Sequence, residues 1–303
     1  MDFAKRRKKG PDIGPAQDDL TRDQWLQWRR EGLGGSDAAV ALGVHPYKCA
    51  LDLYLDKVKG KGNPIDTPAT RWGHTLEPLV IEMVKQRHPK TVRTVEDLPL
   101  MIDPDFPQLR ATMDAGFHGA EGRGIIEAKT ALSMYGGLMF KEGIPKHYRA
   151  QCLHYMMVSR IDLCILGALC EGYREHTFTI RADLEELEAL EAAELELWQR
   201  MKDHDVFWLL DSSEKTGKAL ATLYESKPDA PEPVDGRGDE RAAKALESYF
   251  DAKNAEKQGK EQKTEAENIL KAMIGEAEEL ICDHAVVKWS RTARGRRFTV
   301  KGV

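Results

Sequence analysis

Residues 163–170 (LCILGALC) form an almost wholly apolar run, and this run constrains the fold more than any other feature of the chain. A strand that is apolar at nearly every position is buried on both faces, so its sheet needs a layer on either side. Neighbouring segments supply those layers. Arg71 to Arg87 carries Leu76, Leu79, Val80, Met83 and Val84 at helical spacing. Pro145 opens another helix, through Gln151 and Tyr155 towards Val158. Asp183 to Met201 predicts a helix with Leu184, Leu187, Leu190, Leu197 and Met201 inward and its carboxylates on a solvated face. His176–Arg181 alternates like a partnered strand. Ala111 to His118 and Gly124 to Thr130, separated by Gly119–Arg123, read as a β-hairpin. The implied class is α/β, a mixed central sheet flanked by helices.

The N-terminal third reads as helical. Thr21 to Arg30 predicts a short helix with Trp25 and Trp28 on one side. A Gly-rich turn at Gly34 and Gly35 leads through Ser36 into a second helix ending near Gly43, and Leu51 to Lys59 continues helically. Gly60–Pro68 is a loop. The division expected is a loose basic segment at 1–19, a main domain at 20–225, a linker at 226–239 and a helical region at 240–303. The linker has three prolines and two glycines among polar residues. Beyond it, apolar positions cluster at Leu246, Tyr249 and Phe250, then at Ile269, Leu270, Met273 and Ile274. That pattern fits a two-helix hairpin or one long exposed helix, followed by two strands around Ala293–Gly295.

Composition narrows the function classes. No apolar run is long enough to span a bilayer, and the basic start is not followed by a signal core, so a cytoplasmic protein without a membrane is expected. The five cysteines show no C-x-x-C pair, which argues against a zinc site and a disulfide scaffold. The net charge of −5 neither favours nor excludes a nucleic-acid substrate, because basic residues concentrate at Lys5–Lys9 and from Lys288 to Lys301. A locally basic channel suffices when screening confines attraction to about 10 Å.

The segment from Met113 to Leu132 (MDAGFHGAEGRGIIEAKTAL) holds the chemistry. On a strand, Glu127 and Lys129 share one face while Ile126 and Ala128 face the core. Such charges inside an apolar strand are costly without partners or a function. A hairpin with a four-residue loop would set Asp114 opposite Lys129 and Gly116 opposite Glu127, all on one face. Two carboxylates there could share a hard cation, with Gly116 leaving room. A one-residue slip would turn Asp114 to the other face. Oxygen ligands alone favour Mg²⁺ or Mn²⁺ over zinc. The metal would polarise a phosphate and activate water, with a second ion at the departing oxygen. Lys129 would orient or deprotonate the water, or neutralise charge.

Asp114…Glu127-Ala128-Lys129 resembles the metal-binding core of the PD-(D/E)XK nuclease superfamily, with Met113 where the superfamily's proline would stand. Trp28-Arg29-Arg30…Gly34-Gly35-Ser36-Asp37 resembles the opening of lambda-exonuclease/YqaJ-type viral recombinases. Arg71-Trp72-Gly73-His74-Thr75-Leu76-Glu77 matches that family's W-G-x-x-x-E signature, and Gln151…Tyr155 matches the Q-x-x-x-Y helix of RecB-like nucleases. The motifs fall in family order between residues 25 and 180. The resemblance implies a PD-(D/E)XK core with a mainly helical C-terminal appendage. It also implies a 5′→3′ exonuclease that takes double-stranded DNA ends with a 5′ phosphate and leaves a 3′ overhang. Two Mg²⁺, replaceable by Mn²⁺, would be held by Asp114, Glu127, the Ala128 carbonyl and Glu77, the last directly or through water.

Ser36 behind two glycines reads as an N-cap, and with Arg29 it could hold a 5′ phosphate. The resemblance gives this task to an Arg and a Ser, and the seven-residue spacing favours Arg29 over Arg30. Gln151 and Tyr155, at i and i+4, share a helix face and could hold phosphates flanking the cut. The resemblance further implies a homotrimer and a single-strand annealing partner, in a phage or prophage setting within the bacterial cytoplasm. The C-terminal region would support assembly or dock that partner. Competing expectations are an endonuclease of restriction or repair type and a non-catalytic DNA-end-binding module.

Overall fold

The computed structural model describes residues 3–15, 19–62, 67–131, 133, 137–225 and 233–302. Parts of the expected loop at 60–68 and linker at 226–239, and Leu132 of the hairpin segment, lie outside them. The chain divides into two compact units, residues 1–227 and 228–303.

In the first unit a five-stranded sheet runs β2 (Thr94–Glu96), β5 (Ala115–Gly119), β6 (Gly122–Ala131), β7 (Leu163–Cys170) and β8 (Arg174–Arg181) from edge to edge. Only the β6/β7 pair is parallel. β7 is nearly all buried, as its composition requires. One face is covered by α5 (Pro68–Arg87). Val80, Met83 and Val84 point at the sheet, and a Cβ on Gly167 of β7 would stand 2.4 Å from Val84. Leu79, expected inward, is 61% exposed because it falls on the outer side of the turn. The other face is covered by α6 (Lys146–Ser159), on which α3 (Gly35–Ala41) and α7 (Leu184–Lys202) pack. Around them lie α1 (Phe3–Arg6), α2 (Arg22–Arg30), α4 (Ala50–Lys57) and α8 (Glu214–Leu223). A small sheet joins β1 (Asp12–Ile13), β3 (Met101–Ile102) and β4 (Arg110–Ala111).

Three expectations change here. Residues 3–9 are tied down: Phe3 is buried, Arg6 pairs with Glu191, Arg7 with Asp162, and Lys9 with Asp105 at 3.7 Å. The carboxylates of α7 are not all solvated, since Glu191 and Glu194 are buried. Glu194 accepts from His154 Nδ1 at 2.8 Å, and His154 Nε2 lies 2.9 Å from the Arg110 carbonyl. Leu184 is exposed, because it sits in the first turn of α7, beyond the surface that the helix covers.

The second unit contains α9 (Glu240–Ile274) as one continuous helix, then β9 (Glu279–Cys282), β10 (Ala285–Thr292) and β11 (Gly295–Gly302) in an antiparallel sheet ordered β11-β10-β9. The region expected as helix plus hairpin thus has a third strand.

Candidate active site

β6 places Glu127 and Lys129 on the side of the sheet that faces α6. Ile126 and Ala128 face the cluster built on Val80, Val84 and Phe117 under α5. The β5/β6 connection is tighter than a four-residue loop. Gly119 pairs with Gly122, leaving Ala120 and Glu121 as the turn, and Gly122 takes a φ of +99° that suits glycine. The register is therefore Ala115 with Ile126 and Gly116 with Ile125, two residues away from the expected one. Two residues are one full pleat repeat, so the facing survives. Asp114 lies just beyond β5, and its Oδ2 accepts from the Ala128 amide at 2.7 Å. Gly116 does not make room for an ion: a Cβ there would meet Leu98 at 2.7 Å.

Glu127 is fully buried. Its Oε1 accepts from Lys129 Nζ and from Gln151 Nε2, the latter at 2.7 Å, while its Oε2 is buried with no hydrogen-bond partner among the described residues. Burial, and then the negative charge of Asp114, push the Glu127 carboxyl up to about 8. Burial works against the Lys129 ammonium, but Glu127 and Asp114 outweigh it and keep the amine charged far into the alkaline range. The Lys129 Nζ also sits 5.3 Å from the centroid of the Tyr148 ring. Glu77, from α5, lines a cleft of about 190 Å³ together with Gly73, Asp114, Ala128, Lys129 and Thr130. Burial and the Asp114 charge raise its carboxyl, and His74 lies 3.7 Å from it.

The residues fit a hard divalent cation. Glu127 offers an unengaged buried oxygen beside Asp114, and the Ala128 backbone and Glu77 border the same cleft. Among the described residues no three His, Cys, Asp or Glu side chains enclose an ion by themselves. Mg²⁺ tolerates that, because it commonly keeps several waters and takes one or two carboxylates plus phosphate oxygens.

A second cavity, of about 170 Å³, is lined by Trp25, Trp28, Arg29, Gly34, Gly35, Ser36, Arg110, Thr112, Gln151 and Tyr155. Ser36 is not the N-cap. Gly34 is, and the Asp37 carboxylate reaches back to the Gly34 amide at 3.1 Å. Ser36 instead presents its hydroxyl to the cavity, 3.4 Å from Arg29 Nη2. Arg29 stacks over Trp25, whereas Arg30 turns to Asp56 at 3.9 Å and borders a different groove. Gln151 Nε2 bonds the Tyr155 hydroxyl at 2.8 Å, so it touches both the carboxylate site and this cavity. A Cβ on Gly35 would come within 2.4 Å of the Tyr155 ring, which explains the second glycine before Ser36.

Arg110, Thr112 and the buried Asp37–Lys57 pair, 2.8 Å apart, are features that sequence reasoning missed. Burial alone would raise the Asp37 carboxyl, but Lys57 and Arg29 outweigh it and hold it well below its usual range. Only the D of the Gly34-Gly35-Ser36-Asp37 motif signalled this pair; nothing near Lys57 did.

Residues 24–162 match the YqaJ-like viral recombinase domain. The uncharacterized protein YqaJ of Bacillus subtilis (strain 168) is 29% identical over 193 residues, covering 59% of this chain. The chain spans 56% of the length of that curated relative. An alkaline exonuclease (LHK-Exo) from Laribacter hongkongensis superposes with a TM-score of 0.50 at 16% identity, over 67% of this chain and all of that one. LHK-Exo in complex with dAMP aligns with a TM-score of 0.49 at 19% identity, over 67% of this chain and all of that one. The mixed sheet between helices is the fold shared with that alkaline exonuclease. Over residues 24–162 the chain is therefore similar to the YqaJ-like viral recombinase domain.

Proposed function

We propose that this protein is a Mg²⁺-dependent DNA exonuclease that degrades one strand of a linear duplex from its 5′ end and leaves a 3′ overhang. The observation that carries the reading is the buried Glu127 carboxylate. It has one oxygen held by Lys129 and Gln151 and the other unengaged, next to Asp114. The likeness to a domain of viral recombinases and the fold shared with an alkaline exonuclease support it.

When bound, the cation supplies Lewis-acid polarisation of a phosphate and a more acidic water. Asp114 and Glu127 would hold it, with the Ala128 carbonyl, and Glu77 directly or through water. A second Mg²⁺ belongs to the same reading, with Mn²⁺ as a substitute. The chain's own groups do the remainder. Lys129 is held as a cation, so it neutralises developing negative charge and orients the attacking oxygen rather than removing a proton. Gln151 steadies Glu127 through its amide and, with Tyr155, reaches towards the phosphates flanking the cut. Arg29 and the Ser36 hydroxyl, which line the adjoining cavity, would grip a 5′ phosphate there. Arg30, directed at Asp56, has no part in that grip.

A homotrimer threaded by DNA and a single-strand annealing partner belong to the proposal, as does action in the bacterial cytoplasm in a phage or prophage setting. No helix among the described residues is long and apolar enough to cross a membrane. The test compares linear duplexes bearing a 5′ phosphate or a 5′ hydroxyl, and closed circular DNA, in Mg²⁺. The phosphorylated end should be digested fastest and the circle left intact. Lys129→Ala should slow digestion by about a hundredfold to a thousandfold, as for loss of one group that stabilises a developing oxyanion. Cutting of the circle, or undiminished digestion in chelator, overturns the reading.

A further inference from the structure

We propose that the three-stranded sheet of the second unit is a sequence-independent grip for the phosphodiester backbone of duplex DNA. Residues 285–302 contain Lys288, Arg291, Arg294, Arg296, Arg297 and Lys301 and no acidic residue, in a chain whose net charge is −5. A segment this one-sided on a weakly acidic protein creates its own local field.

The register shows which of these charges are available. Arg296 is consumed inside the unit: its guanidinium stacks 3.9 Å over Trp289 and donates to the carbonyls of Trp289, Gly275 and Ala277. Lys288 pairs with Glu279 across the β9/β10 ladder. The other four are exposed, and among the described residues none of their side chains is paired with a carboxylate. Glu278 approaches Arg291 only through the backbone amide, at 3.4 Å.

These four gather at the hairpin tip and along one strand. Arg294 occupies the turn between Thr292 and Gly295, and Arg291, opposite Arg296, flanks that tip on the Trp289 side of the sheet. Arg297, Thr299 and Lys301 lie at i, i+2 and i+4 of β11, so they share one face about 6.6 Å apart. Ser290 stands opposite Arg297 and adds a hydroxyl on that face. Val287 is buried, and Trp289 and Phe298, a cross-strand pair, sit on the opposite face from Arg297. The face that carries Arg297 and Lys301 therefore has no aromatic platform on which unpaired bases would stack, whereas its cations and hydroxyls suit a regular backbone. The partner is duplex DNA, read by charge alone.

The inference rests on the nuclease reading only for the choice of polyanion. Its test uses the full-length protein with metal chelated, so that nothing is cut. Fluorescence anisotropy follows a short blunt duplex with 5′ hydroxyl ends, and its single strand, from about 50 to about 200 mM salt. The variant Arg291→Gln/Arg294→Gln/Arg297→Gln/Lys301→Gln should bind the duplex at least tenfold more weakly at the low-salt end. Its slope of log K against log salt should be shallower by about 3 to 4, at about 0.9 for each of the four lost contacts. Replacing the three arginines by lysine should restore most of the affinity, which separates charge from folding. Unchanged affinity and slope overturn the proposal, as does a loss confined to single strands. Those outcomes leave the nuclease reading intact, because that reading depends on Lys129→Ala and chelator.

Discussion

Glu127 is a carboxyl group in a place where a lone carboxylate is poorly tolerated, and its behaviour with pH follows. Burial and the neighbouring Asp114 push it up to about 8, so in the cation-free protein it stays protonated through neutral pH. Its folded pKa lies above its ordinary value. Its contribution to stability is therefore complete below that value and is lost as pH rises through about 8. A divalent cation competes with the proton for the same oxygens. Mg²⁺ should accordingly raise the melting temperature markedly at about pH 9 and little at about pH 6, and Glu127→Gln should abolish that difference. Equal Mg²⁺ effects at the two pH values would contradict the assignment. A second residue-scale expectation concerns the buried His154–Glu194 pair. His154→Leu leaves the carboxylate without its partner and should cost about 3–5 kcal/mol in urea unfolding. That pair was illegible in the sequence, because its members are 40 residues apart and each looked ordinary on its own helix. Asp114, Glu127 and Lys129 were legible, because charges in an apolar strand stand out locally. What could not be read was the loop length that sets their register, and only the even size of the error kept the three on one face.

At the scale of elements, two glycines decide how closely helices approach. Gly167 lets α5 lie against β7, and Gly35 lets α3 lie against the Tyr155 ring on α6. Gly167→Ala should destabilise the protein by about 1–3 kcal/mol, the usual cost of overpacking, measurable by thermal melting. Gly35→Ala should do so too, and should also reduce selectivity for a 5′ phosphate over a 5′ hydroxyl, since Tyr155 and Gln151 would be displaced. A variant with full selectivity would argue that this contact is only packing. The helices themselves were readable from apolar periodicity, while the side-chain caps at Thr21 and Asp183 emerge only in the structure. The closeness of their packing was not, because a glycine's partner across a helix interface leaves no local trace. The same gap explains Ser36: two glycines suggested a cap, but Asp37 does the capping, anchored by Lys57 from a different helix.

At the scale of the molecule, the chain is two compact units, and the proposed activities separate along that division. Removing residues 228–303 should leave cleavage of saturating DNA largely intact while weakening DNA retention and assembly. Light scattering and digestion at limiting DNA check this, and a truncated chain that loses cleavage outright would place catalytic function in the second unit. A monomeric mass of the full chain, alone and on DNA, would remove the trimer. One arrangement in the first unit has a consequence for timing. Gln151 is a party wall: its amide reaches the Glu127 carboxylate on one side and the Tyr155 hydroxyl on the other. A group that fills the cavity beside Tyr155 would meet the same amide that holds the Glu127 carboxylate. Under the proposed reading, a strand end seated there would make itself felt one side chain away, and each cycle of shortening would begin only after the previous stump had moved up and docked.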